Sequence, residues 1–173
     1  MARTKKAASP IPNPATSSSL SKSQLKEELV AALEETLRAL QDAHKSTTAG
    51  MTHPDNKPEN DKDTRAIEMS YLARGQAMRI EEFTLGVSGA KVLNVAECTR
   101  VQLGALVHTE DTEGAEAYYL VAPEGGGVVL SGGVKVVTPK SPLGKALMGK
   151  EAGDEAMFVA GGVVRGLNLR HVS

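Results

Sequence analysis

The chain has 173 residues, 40% of them apolar and 24% charged, enough for one or two domains with a buried core. Twenty Lys and Arg against 21 Asp and Glu leave a net charge of −1, which excludes an overall basic field for sequence-independent binding to nucleic acid. Aromatics are 3% with no Trp, against a base-stacking surface or an aromatic-lined pocket, and the single Cys98 excludes an internal disulfide and a CxxC site.

Residues 1–19 carry Arg3, Lys5 and Lys6, then Pro10, Pro12, Pro14 and a run of serines, without the apolar stretch of a secretory signal. Such a composition cannot offset the entropy of ordering, so a disordered tail is expected. No run of about 18 apolar residues occurs anywhere, so no membrane span is expected, and the lone cysteine fits a reducing, cytoplasmic location.

From Leu20 the pattern becomes helical. Leu25, Leu29, Leu33, Leu37 and Leu40 recur at steps of four, four, four and three, one face of a helix, with no Gly or Pro between Leu20 and Lys45. The spacing predicts a helix of about 25 residues. Gly50, Pro54 and Pro58 then break it. Ile67, Tyr71, Met78 and Leu85 restart a helical period, with Arg74 and Glu81 in the intervening heptad places. A second stripe of Ala66, Ser70, Ala73, Ala77 and Ile80 lies beside it, and Gly86 and Gly89 are expected to end the helix. Two such helices joined by a turn bury their stripes against each other, as an antiparallel hairpin.

After Gly89 the texture becomes beta. Val101 to Val107, Ala117 to Val121, Val128 to Leu130, Val134 to Val137, Ala156 to Val159 and Leu167 to Val172 are short Val-rich runs between turns. In the last run Leu167, Leu169 and His171 alternate with Asn168, Arg170 and Val172, a buried face and a wetter one. Between the fourth and fifth runs a short helix has its limits written in: Ser141 suits the N-cap, Pro142 the first helical position and Gly149 the left-handed stop. Leu143, Ala146 and Leu147 share its apolar face, and Gly153-Asp154 supplies the next turn. The fold class is therefore α+β: an antiparallel helical hairpin of coiled-coil character over 20–88, with a tip loop at about 46–60, then a small, mostly antiparallel β domain over 89–173 with one short helix.

Most polar residues have plain roles. His53 lacks a partner at ligand spacing, Gly125 to Gly127 are not followed by a helix or Lys, and Ser141 is explained by capping rather than nucleophilic chemistry. The acids of 55–63 lack the Gly and bidentate Glu of a Ca²⁺ loop. At a helix start, Asp61 and Asp63 suit the helix dipole.

The run Ser141-Pro142-Leu143-Gly144-Lys145-Ala146-Leu147, followed by Gly149-Lys150 and Gly153-Asp154, resembles the signature of the C-terminal domain of Gre-type (GreA/GreB family) bacterial transcription elongation factors. Val101-Gln102-Leu103-Gly104, Tyr118 to Val121 and Val136 to Pro139 are similar to that domain too, and Glu59-Asn60 with Gly75 to Glu81 resemble the tip and returning helix of the Gre hairpin. The resemblance implies an FKBP-like C-terminal domain that docks at the rim of the secondary channel of RNA polymerase, and a hairpin that enters it. It implies no cofactor of the factor's own. Tip carboxylates, here Glu59 and Asp55, would help the polymerase hold a second Mg²⁺ that activates water to cut the RNA of backtracked complexes, an indirect contact with nascent RNA. The factor would be an accessory protein rather than an enzyme, and Leu143, Lys145 and Lys150 would be polymerase contacts.

The family carries an Asp and a Glu three residues apart, ahead of an Asn; here Asn56 stands three before Glu59, and Asp55 is one position off. That substitution motivates an alternative, a non-cleaving regulator or inhibitor in the same channel. An FKBP-like prolyl isomerase or chaperone is the reading from another class, and it needs an aromatic cleft for which only Tyr118, Tyr119 and Phe158 are available after Gly89. A coiled-coil oligomerisation module would need the helical seam to pair between chains; a turn-rich loop between the helices favours pairing within one chain and a monomer.

Overall fold

The computed structural model describes residues 21–52 and 64–173. Two long helices come first, α1 (Lys22–Thr52) and α2 (Thr64–Lys91). The strands β1 (Leu106–Asp111), β2 (Glu116–Val121) and β3 (Lys135–Val137) follow, then the short helix α3 (Pro142–Leu147) and the hairpin of β4 (Glu155–Ala160) and β5 (Val163–Val172). The proposed tail, and most of the proposed tip loop, lie outside the described residues. No described helix is long and apolar enough to cross a membrane.

Helix α1 opens with a reciprocal cap: the Gln24 backbone N–H donates to Ser21 Oγ at 3.2 Å, and the Ser21 N–H donates to Gln24 Oε1 at 3.2 Å. Its Leu25, Leu29 and Leu33 are fully buried, as the leucine period requires. The helix runs on through Gly50 to Thr52, 31 residues in all, past the break expected near Thr47. Ser46, Thr47 and Thr48 hydroxyls donate to the carbonyls of Asp42, Ala43 and His44 one turn back, so these polar side chains follow the helix rather than compete with it.

Helix α2 corrects two expectations. The face turned inward is that of Ala73, Ala77, Ile80, Phe83, Val87 and Ala90, whereas Ile67, Tyr71, Met78 and Leu85 point outward. Nor do Gly86 and Gly89 end the helix, which continues to Lys91. They are notches for the loop after β2: a Cβ on Gly86 would stand 2.7 Å from Glu124 Cβ, and one on Gly89 would stand 3.3 Å from Pro123 Cγ. The same loop reaches α1, for a Cβ on Gly125 would meet Leu29 Cδ1 at 2.8 Å.

The sheet has the order β3-β2-β1-β5-β4. It is antiparallel except for β2 and β3, which pair in parallel, and this one pair departs from the antiparallel expectation. After β2 the chain returns through residues 122–134, so β3 runs in the same direction as β2. The run expected at Val128 to Leu130 becomes a flank to β3: Val136 N–H donates to the Val128 carbonyl at 2.8 Å, and one bridge joins Val129 to Lys135. Likewise the strand expected from Val101 begins only at Leu106, because Gly104 turns at φ +88° against the Asn94 carbonyl. A register shift between His108 and Thr109 leaves Arg170 opposite neither, so beyond it Val172 faces the core and His171 faces solvent, the reverse of simple alternation.

Alternate residues divide the sheet between two cores. Leu120 and Val136 pack with Leu25, Leu29, Leu33, Val87 and Ala90 at the hairpin base, whereas Val121 and Val137 pack with Val101, Val107 and Leu147 on the side of α3. Half-buried Cys98 borders the second core, as a small apolar filler. The hairpin stripes are thus buried against the sheet as well as against each other. Polar straps surround that junction. Lys26 Nζ donates to the Leu93 carbonyl and Lys22 Nζ to the Ala96 carbonyl, both at 2.8 Å, and Lys91 pairs with Glu34 at 2.7 Å. The Ser131 backbone N–H donates to Glu28 Oε2 at 2.9 Å.

Leu29→Ala should lower unfolding stability by about 2–5 kcal/mol in urea titrations, whereas Leu85→Ala on the outer face should stay within about 0.5 kcal/mol. The Ser131 N–H bond holds the Glu28 carboxyl below its ordinary 4.5. Stability from this bond is therefore complete above the unfolded-state value and lost as pH falls through the lower folded value. Glu28→Gln should flatten that part of an acid titration of stability; an unchanged profile would show that the bond contributes nothing.

Candidate docking face and hairpin tip

The segment around α3 is held by local chemistry. Ser141 Oγ accepts from the Gly144 N–H at 3.0 Å and donates to the Thr138 carbonyl at 2.7 Å, and Pro142 sits at the first helical position. Gly144 is required because a Cβ there would collide with the Thr138 carbonyl. Gly149 adopts φ +78° and its N–H donates to the Val101 carbonyl at 2.9 Å, while Val101 N–H donates to the Lys150 carbonyl at 2.8 Å. Asp154 Oδ2 accepts from the Glu151 N–H at 2.9 Å. Ser141, Pro142, Gly144, Gly149 and Asp154 thus each have a structural task.

Beside α3 lies a groove of about 580 Å³. Tyr119, Val137, Pro142, Leu143, Phe158 and Val159 supply most of its apolar lining, and Lys135 is its one charged side chain. Burial, with Asp111 near, pushes the Tyr119 phenol above its ordinary range, so its hydroxyl stays protonated at neutral pH. The scarcity of aromatics weighed against such a pocket, yet the parallel β2–β3 pair and the β4–β5 hairpin bring Tyr119 and Phe158 to one place. Tyr118, one residue along, points to the other face and stacks on His108 at 4.4 Å.

The structure separates the three residues expected to contact a partner. Leu143 faces the groove; Lys145 and Lys150 border a second hollow of about 550 Å³ on α3, with Asp154, Glu155 and Met157. Lys145 is exposed and Lys150 half-buried. Phe158 entered the sequence reading only as an aromatic for an isomerase cleft, and Val159 was passed over; the signal for both as groove residues was an apolar run on an edge strand with no Lys or Pro to protect it.

Glu59 and Asp55, with Asn56 and Asn60, fall between Thr52 and Thr64, outside the described residues. The helices that carry them are described: from Leu33, the last fully buried leucine of α1, to Thr52 is a rise of about 28 Å. Among the described residues no three His, Cys, Asp or Glu side chains stand together as a metal site.

Residues 96–166 match the family described as "Transcription elongation factor, GreA/GreB, C-term". Residues 96–166 are thus a GreA/GreB-type C-terminal domain. The match takes in the α3 signature, the groove and the sheet as far as the middle of β5. No curated protein matches the chain. Among solved structures, GreA factor homolog 1 (Gfh1) of Thermus thermophilus is 19% identical, over 83% of this chain and 94% of that one, with a TM-score of 0.38. Gfh1 of Thermus aquaticus is 19% identical, over 86% and 96%, with a TM-score of 0.38. A GreA/GreB factor from Nitrosomonas europaea is 23% identical, over 54% and 78%, with a TM-score of 0.36.

Ser141→Ala should cost about 1 kcal/mol of stability in denaturant unfolding by removing the cap. Gly144→Ala should cost more, because the Thr138 carbonyl has to move. An unmoved midpoint for Ser141→Ala would show the cap to be idle.

Proposed function

We propose that the protein binds bacterial RNA polymerase through its C-terminal domain, places the hairpin in the secondary channel, and stimulates cleavage of RNA in backtracked complexes. The observation that carries this reading is the GreA/GreB C-terminal domain over 96–166, joined to a long hairpin whose tip sequence holds Asp55 and Glu59. The groove at Leu143 and Phe158 suits the docking step, being apolar, open and backed by the rigid α3 turn. The hairpin suits delivery: its base is buried in the sheet and its helices carry the tip about 28 Å outward.

Two carboxylates are hard oxygen donors, the donor class Mg²⁺ prefers. In this reading Glu59 and Asp55 would hold Mg²⁺ together with groups of the polymerase, and the ion would supply an activated water for RNA cleavage. The protein itself is then an accessory factor, with its metal shared in trans. Asn56, three residues ahead of Glu59, favours a second reading in which the factor occupies the channel and regulates the polymerase without cleavage.

The test is RNA cleavage in stalled, backtracked complexes with Mg²⁺, using the intact protein, Glu59→Ala and Asp55→Ala. The proposal expects stimulation by the intact protein and its loss, by tenfold or more (about 1.4 kcal/mol), in Glu59→Ala with polymerase binding retained. Binding without stimulation by the intact protein selects the regulator. Absence of binding removes both readings. Val159→Glu, a groove change at an exposed position, should weaken polymerase binding while leaving stability unchanged.

A further inference from the structure

Helix α2 is apolar on two opposite sides. The inner side closes the hairpin; on the outer side Ile67, Tyr71, Met78 and Leu85 are 48%, 72%, 56% and 74% exposed. Tyr71, Met78 and Leu85 are spaced by sevens, close to two turns each, so they form one straight stripe with Ile67 one turn further out. A helix packed on one side only keeps its outer side polar, and this one does not. Gly75 stands on the same outer side, mid-helix, where glycine is the least favourable residue short of proline. Nothing lies within 4 Å of a Cβ added there, so no contact among the described residues explains it.

We propose that this stripe pairs with the same stripe of a second copy, antiparallel, so that the protein forms a weak symmetric dimer through α2. Three observations choose this occupant. The free face stops at Leu85, since Pro123 covers the outer side at Gly89, so the stripe is used fully when Ile67 of the second copy lies opposite Leu85. The two-fold axis then passes halfway between 67 and 85, level with Gln76 and beside Gly75, where the missing side chain admits the partner helix closely.

The third observation is charge. Arg74 and Glu81 are exposed and flank the stripe on the same side. A parallel pair would put the two copies' flanks on opposite edges of the seam, so Arg74 and Glu81 would gain no partner across it. The antiparallel pair instead brings each Arg74 within about one turn of Glu81 of the second copy, so attraction occurs twice. This departs from the monomer implied by the loop between the helices. Four apolar side chains per copy form a small contact, so association belongs in the micromolar range or weaker. A hairpin paired in this way cannot enter a narrow channel, so dimerisation would hold the factor in reserve; that consequence rests on the proposed function, whereas the pairing does not.

Sedimentation of the full chain without polymerase, from micromolar to submillimolar concentration, tests the pairing by itself. The mass should rise from 18.2 kDa towards twice that value with concentration. Tyr71→Lys should keep it at the monomer value with an unchanged circular dichroism spectrum. Arg74→Glu and Glu81→Arg should each weaken association several-fold, and the double charge exchange should restore it. A wild-type mass of 18.2 kDa throughout, association untouched by Tyr71→Lys, or a double exchange that fails to recover would each overturn the proposal.

Discussion

Leu25, Leu29 and Leu33 bury one helical stripe in two partners at once: Val87 and Ala90 of the returning helix, and Leu120 and Val136 of the sheet. Everything else about the molecule's shape follows from that shared core. A helical hairpin packed only on itself has a thin seam, and isolated helices draw little stability from propensity. Here its base is planted in a sheet whose other face packs in part against α3. Lys22 and Lys26 then satisfy part-buried backbone carbonyls at the junction, and Glu28 ties down the Ser131 N–H at its exposed edge.

The α3 signature changes meaning once its contacts are known. A repeated pattern of Ser, Pro, Gly and Asp at fixed spacing invites a chemical reading, yet each of these residues caps, turns or admits a backbone. The chemistry of the C-terminal domain is that of a surface: an apolar groove next to a stiffened turn, with charged residues on the far side of the helix. In the proposed function, reactive chemistry belongs to the hairpin tip and to a partner that supplies the rest of the metal site.

What was legible in the sequence is what is local. The leucine period of α1, the Ser141 cap, the Pro142 start and the Gly149 stop depend on neighbours within one or two turns, and the structure has them all. The Ser21 and Gln24 capping box was equally local and was passed over. Periodicity alone does not say which apolar side of a helix is covered, and α2 has two: the heptad of Tyr71, Met78 and Leu85 reads as a seam but lies outward. Gly86 and Gly89 read as stops because the loop that fills their notches comes from Pro123 and Glu124, far along the chain. The reversal at His171 and Val172 depends on a bulge set by β1, and the groove on two strands brought together by topology. For the tip, Asp55 and Glu59 remain readings of sequence, carried by the helices on either side of them.

In the proposed function the C-terminal domain docks while the hairpin carries position 59 to the polymerase active centre. A photoreactive residue placed at position 59, in complexes of the full chain with backtracked polymerase, tests it directly. Adducts are expected only on the polymerase subunits that surround the catalytic Mg²⁺, and they should be lost when Val159→Glu disrupts docking. Adducts only on the outer surface of the polymerase, in complexes that still form, would contradict it.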